Sequence, residues 1–557
     1  MRFIADYIIV GAGSAGCVLA NRLSVDPDVN VLLLEAGPPD TSWMIRMPAA
    51  IPLLYKGKRY NWRFETVPQT HLDGRRIYHP RGRTLGGTSS INGMIFMRGH
   101  ARDFDHWADG GATGWSYAEV LPYFRRLENY SGGANKYRGE DGPVCVITKE
   151  PTNPLDIAFL EAGRQAGYPA SEDVNGFQQE GFGKFDINID GGIRASSAFA
   201  YLRPARKRPN LRVLTGALTT RIIFEKTRAT GIEFLQRGMR YQARAEREVI
   251  VASGAFQSPQ LLLLSGVGPA DELSVKDIPV IQDLPGVGCN LQDHPEIHVQ
   301  YEATEPVSLN GEQRWHRRAI IGLEWFLLKR GLGTSSGCSV GSFIRSSSEH
   351  DYPDIEYHFF PLYLGDSWWP PREPHGFSFG AGPMREESRG TVKLGSGDPR
   401  EPPLIDPNYL ATEADREAFR EVVALSRELA NQRAFDQLRG REIEPGTEIQ
   451  GDRDIDAFVK RRLESAYHPC GTCKMGTDEL SVVDQATRVH GLEQLRVVDA
   501  SIMPNITNAN LNAPVMMIAE KAADMILGKE PLPPRTVPVY KPEDKAPDDR
   551  GLSDTTS

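Results

Sequence analysis

The chain reads as a mixed α/β and α+β protein, in which a parallel-sheet α/β domain is interleaved with a second domain built on a largely antiparallel sheet. Three observations predict this. A strand, a glycine turn, a helix and a second strand succeed one another within residues 6–35. Short apolar strands of the same kind recur at Glu248–Ala252 and Leu495–Asp499, where they would complete the sheet begun at residue 6. Between them, residues 299–464 are richer in aromatics and mix alternating strands such as Asp354–Phe360 with helices such as Glu413–Ala430. At 557 residues the chain also exceeds one ordinary core.

The first unit is the most informative. Asp6–Val10 is a buried strand, Gly11-Ala12-Gly13-Ser14-Ala15-Gly16 turns it into a helix running to Leu23, and Val31–Leu34 is a second strand ending in Glu35. Together these form the dinucleotide-binding fingerprint in its full context. Gly11 permits the tight turn, Gly13 lets the backbone approach a pyrophosphate, and Gly16 allows the helix to pack closely on the strand. The free N–H groups from Ser14 onward face phosphates. Glu35, followed by Ala36, is placed to hydrogen-bond a ribose hydroxyl. The fingerprint occurs once, so a single dinucleotide is expected.

Hydrophobic residues make up 40% of the chain and charged residues 25%, the balance of a globular protein, and the net charge of −9 argues against a nucleic-acid partner. No apolar run approaches the roughly 18 residues that a membrane span needs. The first strand begins by residue 6 and leaves no room for a cleavable signal peptide. A cytoplasmic location is therefore expected, with peripheral association at the inner face of a membrane left open. Cys470-Gly471-Thr472-Cys473 lacks the second pair of a zinc site, so no metal is expected. After Gly528 proline and charge dominate, and 529–557 reads as a disordered tail.

Three further motifs make the reading specific. Gly82-Arg83-Thr84-Leu85-Gly86-Gly87-Thr88-Ser89-Ser90-Ile91-Asn92 is a glycine and hydroxyl loop suited to a pyrophosphate and a flavin edge. Gly254 to Gly268 follows the strand at 249–252 and opens a helix, and Tyr467-His468-Pro469 precedes the run Asp499-Ala500-Ser501 through Asn512. From residue 6 to about 528 the chain resembles the glucose-methanol-choline (GMC) oxidoreductases. Gly57 to Trp62, Gly440 to Ile443 and His468 to Gly476 are similar to segments of bacterial choline dehydrogenases and related FAD-dependent alcohol dehydrogenases. The resemblance implies an FAD-binding Rossmann-like domain over 1–148, 206–298 and 465–528, with a substrate domain over 149–205 and 299–464.

It also implies chemistry: a small primary alcohol gives up its hydroxyl proton and passes a hydride to flavin N5. His468 matches the family's active-site histidine, whose pKa near neutrality suits proton transfer. Asn512 matches the second active-site position, and its place before Ala513-Pro514 also suits a helix N-cap. Gly11, Gly13, Ser14, Gly16, Glu35, Ala36, Gly87, Asn92, Gly93, Asp499 and Ala500 are carried over as FAD contacts. Some members attach FAD through a histidine in the second loop; this chain has Ile91 there, so non-covalent FAD is expected.

Choline enzymes of the family carry a glutamate before the Gly-x-Phe of the substrate domain. The corresponding position here is Ser339, assigned with Tyr467 to the substrate, and Leu332–Ile344 contains no acid. That departure favours a non-choline alternative, an aliphatic alcohol or a hydroxy acid such as 3-hydroxypropionate, with Trp315-His316-Arg317-Arg318 supplying cations. A cage from Trp315, Trp325, Trp368 and Trp369 is the other route to a quaternary cation. The electron acceptor, a respiratory carrier or oxygen, is not fixed by the sequence.

Overall fold

In the computed structural model, which describes residues 2–365 and 371–542, two large sheets divide the chain between them. Arg2–Val10 pairs in parallel with Val31–Glu35 on one side and Met239–Val251 on the other, and Leu211–Thr215 extends the sheet beyond Val31–Glu35. The far edge of Met239–Val251 serves two partners. Its first part pairs antiparallel with Arg228–Gln236, which pairs in turn with Ala217–Glu225, and its last three residues pair in parallel with Leu495–Val497. Segments nearly five hundred residues apart thus share one sheet, because Ile8, Ile9, Val249, Ile250, Val251 and Val497 are apolar on both faces and fully buried.

The helix Ser14–Leu23 leaves this sheet at the glycine turn and packs against Asn512–Ile526. A buried carboxylate fastens the pair. Glu520 accepts from Arg22 at 2.7 Å, from the Tyr201 hydroxyl at 2.7 Å and from Arg126 at 2.8 Å. Multiple charged donors are what make such a buried charge tolerable. The result is a fixed starting point for the helix that begins at residue 512.

The second sheet runs in the order Arg439–Glu444, Pro295–Ala303, Gly376–Pro383, Ile355–Phe360, Val340–Ile344 and Gly181–Lys184, all antiparallel, with the short Ala170–Ser171 added in parallel at its edge. Side chains alternate between faces. Phe377, Phe379 and Ala381 therefore enter a core with Phe359, Phe419 and Phe435, whereas Gly376, Ser378, Gly380 and Gly382 present almost nothing on the opposite face. That bare strip lets side chains from both flanking strands reach across it, and the candidate site is built there.

Two sequence expectations change. Pro295–Ala303 lies whole in the antiparallel sheet, so the boundary at 298/299 cuts a continuous strand; the alternating Glu296, His298 and Gln300 mark one face of it. Residues 529–542 are laid along the surface rather than disordered: Leu532 N–H bonds the Tyr123 hydroxyl, Arg535 N–H the Ala118 carbonyl and Tyr540 N–H the Phe177 carbonyl. The rest of that predicted tail, 543–557, lies outside the described residues.

Candidate active site

A cavity of about 700 Å³ is lined by residues from both sheets. At one end lies the glycine turn. Gly11 has φ +100°, and a Cβ there would sit 2.4 Å from the Ala252 carbonyl oxygen; one on Gly16 would lie 1.9 Å from the Gly11 oxygen. Both positions require glycine through backbone approach alone. Gly87, at φ +52°, would place a Cβ 2.7 Å from the Gly13 Cα, so the two phosphate-type loops touch. Above Gly13 the nearest atom to a Cβ is 3.9 Å away, and above Gly93 nothing lies within 4 Å. This open cradle, lined also by Ser14, Ala36, Asn92 and Ala500, fits a flat dinucleotide.

Glu35 accepts from the N–H groups of Gly37 at 2.7 Å and Ala12 at 3.1 Å, which ties the end of the second strand to the turn. Burial pushes its carboxyl up to about 7, against the two backbone hydrogen bonds. Asp499 also lines the cavity, and its carboxylate accepts from Gly254 N–H, Ser258, and both the N–H and hydroxyl of Ser501. Its contribution is to hold the third strand end against the helix that starts at 254.

At the other end stand the imidazoles. His468 follows Tyr467, whose φ is +67°, in a loop organised by buried Asp293. That carboxylate accepts from His468 N–H at 2.7 Å, Ser465 at 2.5 Å and Tyr409 at 2.5 Å. Nδ1 of His468 meets Nδ1 of His294 at 3.0 Å, and Nε2 receives the Asn510 amide at 3.1 Å. Burial, reinforced by His294, His358 and Arg81, holds His468 well below the ordinary imidazole range.

The amide beside His468 is therefore Asn510, which corrects the expectation for Asn512. Asn512 is the first residue of its helix, with Leu511 at the cap position, and its Oδ1 accepts from Ser14 at 2.7 Å at the dinucleotide end. Two residues of spacing at the helix start turn these amides toward different parts of the cavity. The Ser339 expectation also changes. Its hydroxyl donates to Asp156 at 3.0 Å, and Ser339 is not among the residues lining the cavity.

The carboxylate missing from 332–344 comes instead from another strand. Glu296 lines the cavity and is 5% exposed. It bonds His358 Nδ1 at 3.0 Å and His298 Nε2 at 3.2 Å, reaching across Gly380, which pairs with both histidines. Burial opposes its ionisation, yet His298 and His358 outweigh that and hold it well below the usual carboxylate range. His358 is in turn pushed up to about 9, because Glu356 and Glu296 outweigh burial. Glu356, fully buried 3.4 Å from His358, is pushed up to about 7 by burial.

His294, Glu296, His298, Glu356, His358 and Asn510 were missed in the sequence. Their signal was present: Glu296-Ile297-His298 and Glu356-Tyr357-His358 place titratable groups at every second residue of a strand, hence on one face, with His294 just ahead of the first. The tryptophan cage does not form from the described residues. Trp325 is buried and donates to the Gly192 carbonyl at 2.8 Å, and Trp315 is 75% exposed; Trp368 and Trp369 lie outside the described residues. Of the cationic run, Arg318 lines the cavity and Arg317 pairs with Glu312.

Known proteins resemble this chain over nearly its whole length. Models of the GMC oxidoreductase family match residues 5–296 and 386–519. The mitochondrial choline dehydrogenase of Mus musculus is 51% identical over 546 residues, covering 96% of this chain and 92% of its own. The oxygen-dependent choline dehydrogenase of Burkholderia multivorans is 52% identical over 540 residues, covering 96% and 95%. Among solved structures, pyridoxine 4-oxidase from Mesorbium loti superposes with a TM-score of 0.86 at 34% identity, covering 94% of this chain and 100% of that one. Family models over 5–296 and 386–519 and relatives at half identity over nearly the whole length lead to one conclusion: the chain belongs to the GMC oxidoreductase family.

Proposed function

We propose that this cavity oxidises a small primary alcohol bearing a cationic group, of the choline type, to its aldehyde. As a GMC oxidoreductase with choline dehydrogenase relatives, the chain is an FAD-dependent enzyme acting on CH–OH groups. FAD would supply the hydride acceptor and would be held by the cradle of Gly11, Gly13, Ser14, Glu35, Ala36, Gly87, Asn92, Gly93, Ala500 and Asn512, with Gly16 packing the helix against the turn. Asp499 keeps that cradle in place. No histidine replaces Ile91 in the second loop, which supports non-covalent binding.

His468 takes the hydroxyl proton at Nε2, and the electrons left on oxygen form the carbonyl as the hydride leaves carbon. Its lowered pKa keeps it neutral, and the Nε2 lone pair, which accepts from Asn510 in this structure, takes the substrate hydroxyl in its place. The Asn510 amide donates to the substrate oxygen as negative charge grows there. Tyr467 forms part of the wall.

The observation that carries the substrate reading is Glu296: a buried carboxylate in the same cavity as His468 and Asn510, with no lysine or arginine paired to it among the described residues. A quaternary ammonium needs an anion or an aromatic cage when it leaves water. Arg318 in the lining is the observation favouring a second reading, a hydroxy acid. Dye-coupled kinetics on choline, an uncharged analogue and 3-hydroxypropionate separate them. The largest kcat/KM is expected for choline, and a preference for the hydroxy acid refutes the cation reading. Electrons then pass to a separate acceptor of the respiratory-carrier class; peroxide formed in step with substrate loss would show oxygen in that role instead.

A further inference from the structure

We infer that the helix Trp315–Leu328 and the adjoining segment 43–59 form a docking surface for an anionic lipid bilayer, placed around the mouth of the cavity. The helix is mostly apolar, yet among its fourteen residues Trp325 alone is buried. Trp315 is 75% exposed, Leu327 71%, Leu323 61% and Ile320 54%. A surface helix ordinarily turns its apolar stripe to the core; this one turns it outward and is anchored by one indole. Phe326 packs on half-exposed Trp43 at 5.5 Å between ring centres, and exposed Leu53 follows on the neighbouring segment. The patch is therefore continuous across two stretches of chain, and contiguous apolar surface on this scale marks an interaction site.

Charge selects the occupant. Residues 43–59 and 312–332 together hold nine lysines or arginines and two glutamates, within a chain whose net charge is −9. Apolar side chains ringed by cations are the composition of helices that lie in the interface of an anionic membrane. A second copy of this acidic chain would bring the same cations against themselves in a two-fold contact. No described helix is long and apolar enough to cross a membrane, so the contact is peripheral. Trp43, Leu53, Phe326 and Leu332 also line the cavity. Docking would therefore turn its mouth toward lipid instead of water.

Flotation of the FAD-loaded full chain with vesicles tests this, using phosphatidylcholine alone and phosphatidylcholine mixed with phosphatidylglycerol. Binding to the mixed vesicles is expected, weakening with salt. The Leu323→Ser/Leu327→Ser variant should bind at least about tenfold more weakly, from the apolar area lost, with unchanged dye-coupled turnover. Arg46→Glu/Lys58→Glu, which leaves the apolar residues intact, should lose the preference for phosphatidylglycerol. Wild-type protein that stays unbound to both vesicles, variants that float as well as wild type, or a wild-type dimer that the leucine variant converts to monomer would each overturn the inference.

Discussion

The imidazoles of His294 and His468 meet Nδ1 to Nδ1 at 3.0 Å, their planes nearly perpendicular at 86°. Only one of two facing ring nitrogens carries the shared proton. With the Asn510 amide donating to Nε2 of His468, that proton sits on Nδ1 of His468, and His294 accepts it. His294 thus fixes the tautomer whose Nε2 lone pair accepts, from Asn510 in this structure and from a substrate hydroxyl that takes its place, and as a positioning residue it acts only through His468.

Removing each partner should have a different signature. His468→Gln should lower kcat/KM by roughly a hundredfold to ten-thousandfold, the range for loss of a general base. His294→Gln should cost less, about tenfold, and should also shift the pH profile. His294 helps to hold the His468 pKa down, so its loss raises that pKa and moves the acid limb of kcat/KM to higher pH. A purely structural defect would lower the rate and leave the limb where it was.

Glu296→Gln should separate charge from shape. Loss of the buried anion should reduce kcat/KM for choline by at least about thirtyfold, while an uncharged alcohol of similar size should change only a few-fold. Equal losses on both substrates would show that Glu296 shapes the cavity without reading the cation.

The same cluster predicts a pH dependence on the alkaline side. Against its burial, Glu356 and Glu296 push His358 up to about 9, so below that pH its imidazolium shares the Glu296 charge with the substrate. Glu356, His298, His468 and Asn510 face it as well. Raising pH through about 9 removes one of the two cations that compete for Glu296, the other being His298, whose pKa Glu296 also raises against burial, and KM for choline should fall there. For the uncharged alcohol KM should stay flat, and parallel curves would refute the competition.

The dinucleotide half of the site was legible because its chemistry is local in sequence. Gly11, Gly13, Gly16 and Glu35 fall within twenty-five residues, and backbone approach fixes their spacing. The substrate half is assembled from strands that the register brings together, Pro295–Ala303 and Ile355–Phe360 across Gly376–Pro383. No local pattern says that residue 296 meets residue 358. The error at Asn512 has the same origin: Asn510 and Asn512 are equivalent on paper, and only the helix start at 512, pinned through Glu520, decides which faces His468.

Denaturation should release the cofactor. Ile91 is buried in the second loop and lines the cavity, and it offers no nucleophile for attachment. Acid or heat precipitation should leave yellow FAD in the supernatant, and colour retained in the pellet would contradict non-covalent binding. Gly93→Ala gives a finer check. Nothing in the protein lies within 4 Å of a Cβ at that position, so the fold should be unaffected, while FAD affinity should fall as the methyl group enters the cradle. Lower melting temperature of the cofactor-free variant would show instead that Gly93 is needed by the fold.

Gly380 is where fold and specificity meet. A Cβ there would lie 2.9 Å from Cε1 and 3.0 Å from Nδ1 of His298 and 3.2 Å from the His358 carbonyl oxygen, and Gly380 pairs with both histidines. His298 is a side chain and can move. Gly380→Ala should therefore fold, losing about 1–3 kcal/mol for overpacking, and should selectively lose kcat/KM for the cationic substrate as His298 is pushed off Glu296. Gly382→Ala meets the Pro295 carbonyl oxygen at 2.0 Å, a backbone atom held in the sheet, and should fail to fold or lose all activity. If the two alanine variants behave alike, the strip of glycines serves strand packing only, and its link to the Glu296 cluster is wrong.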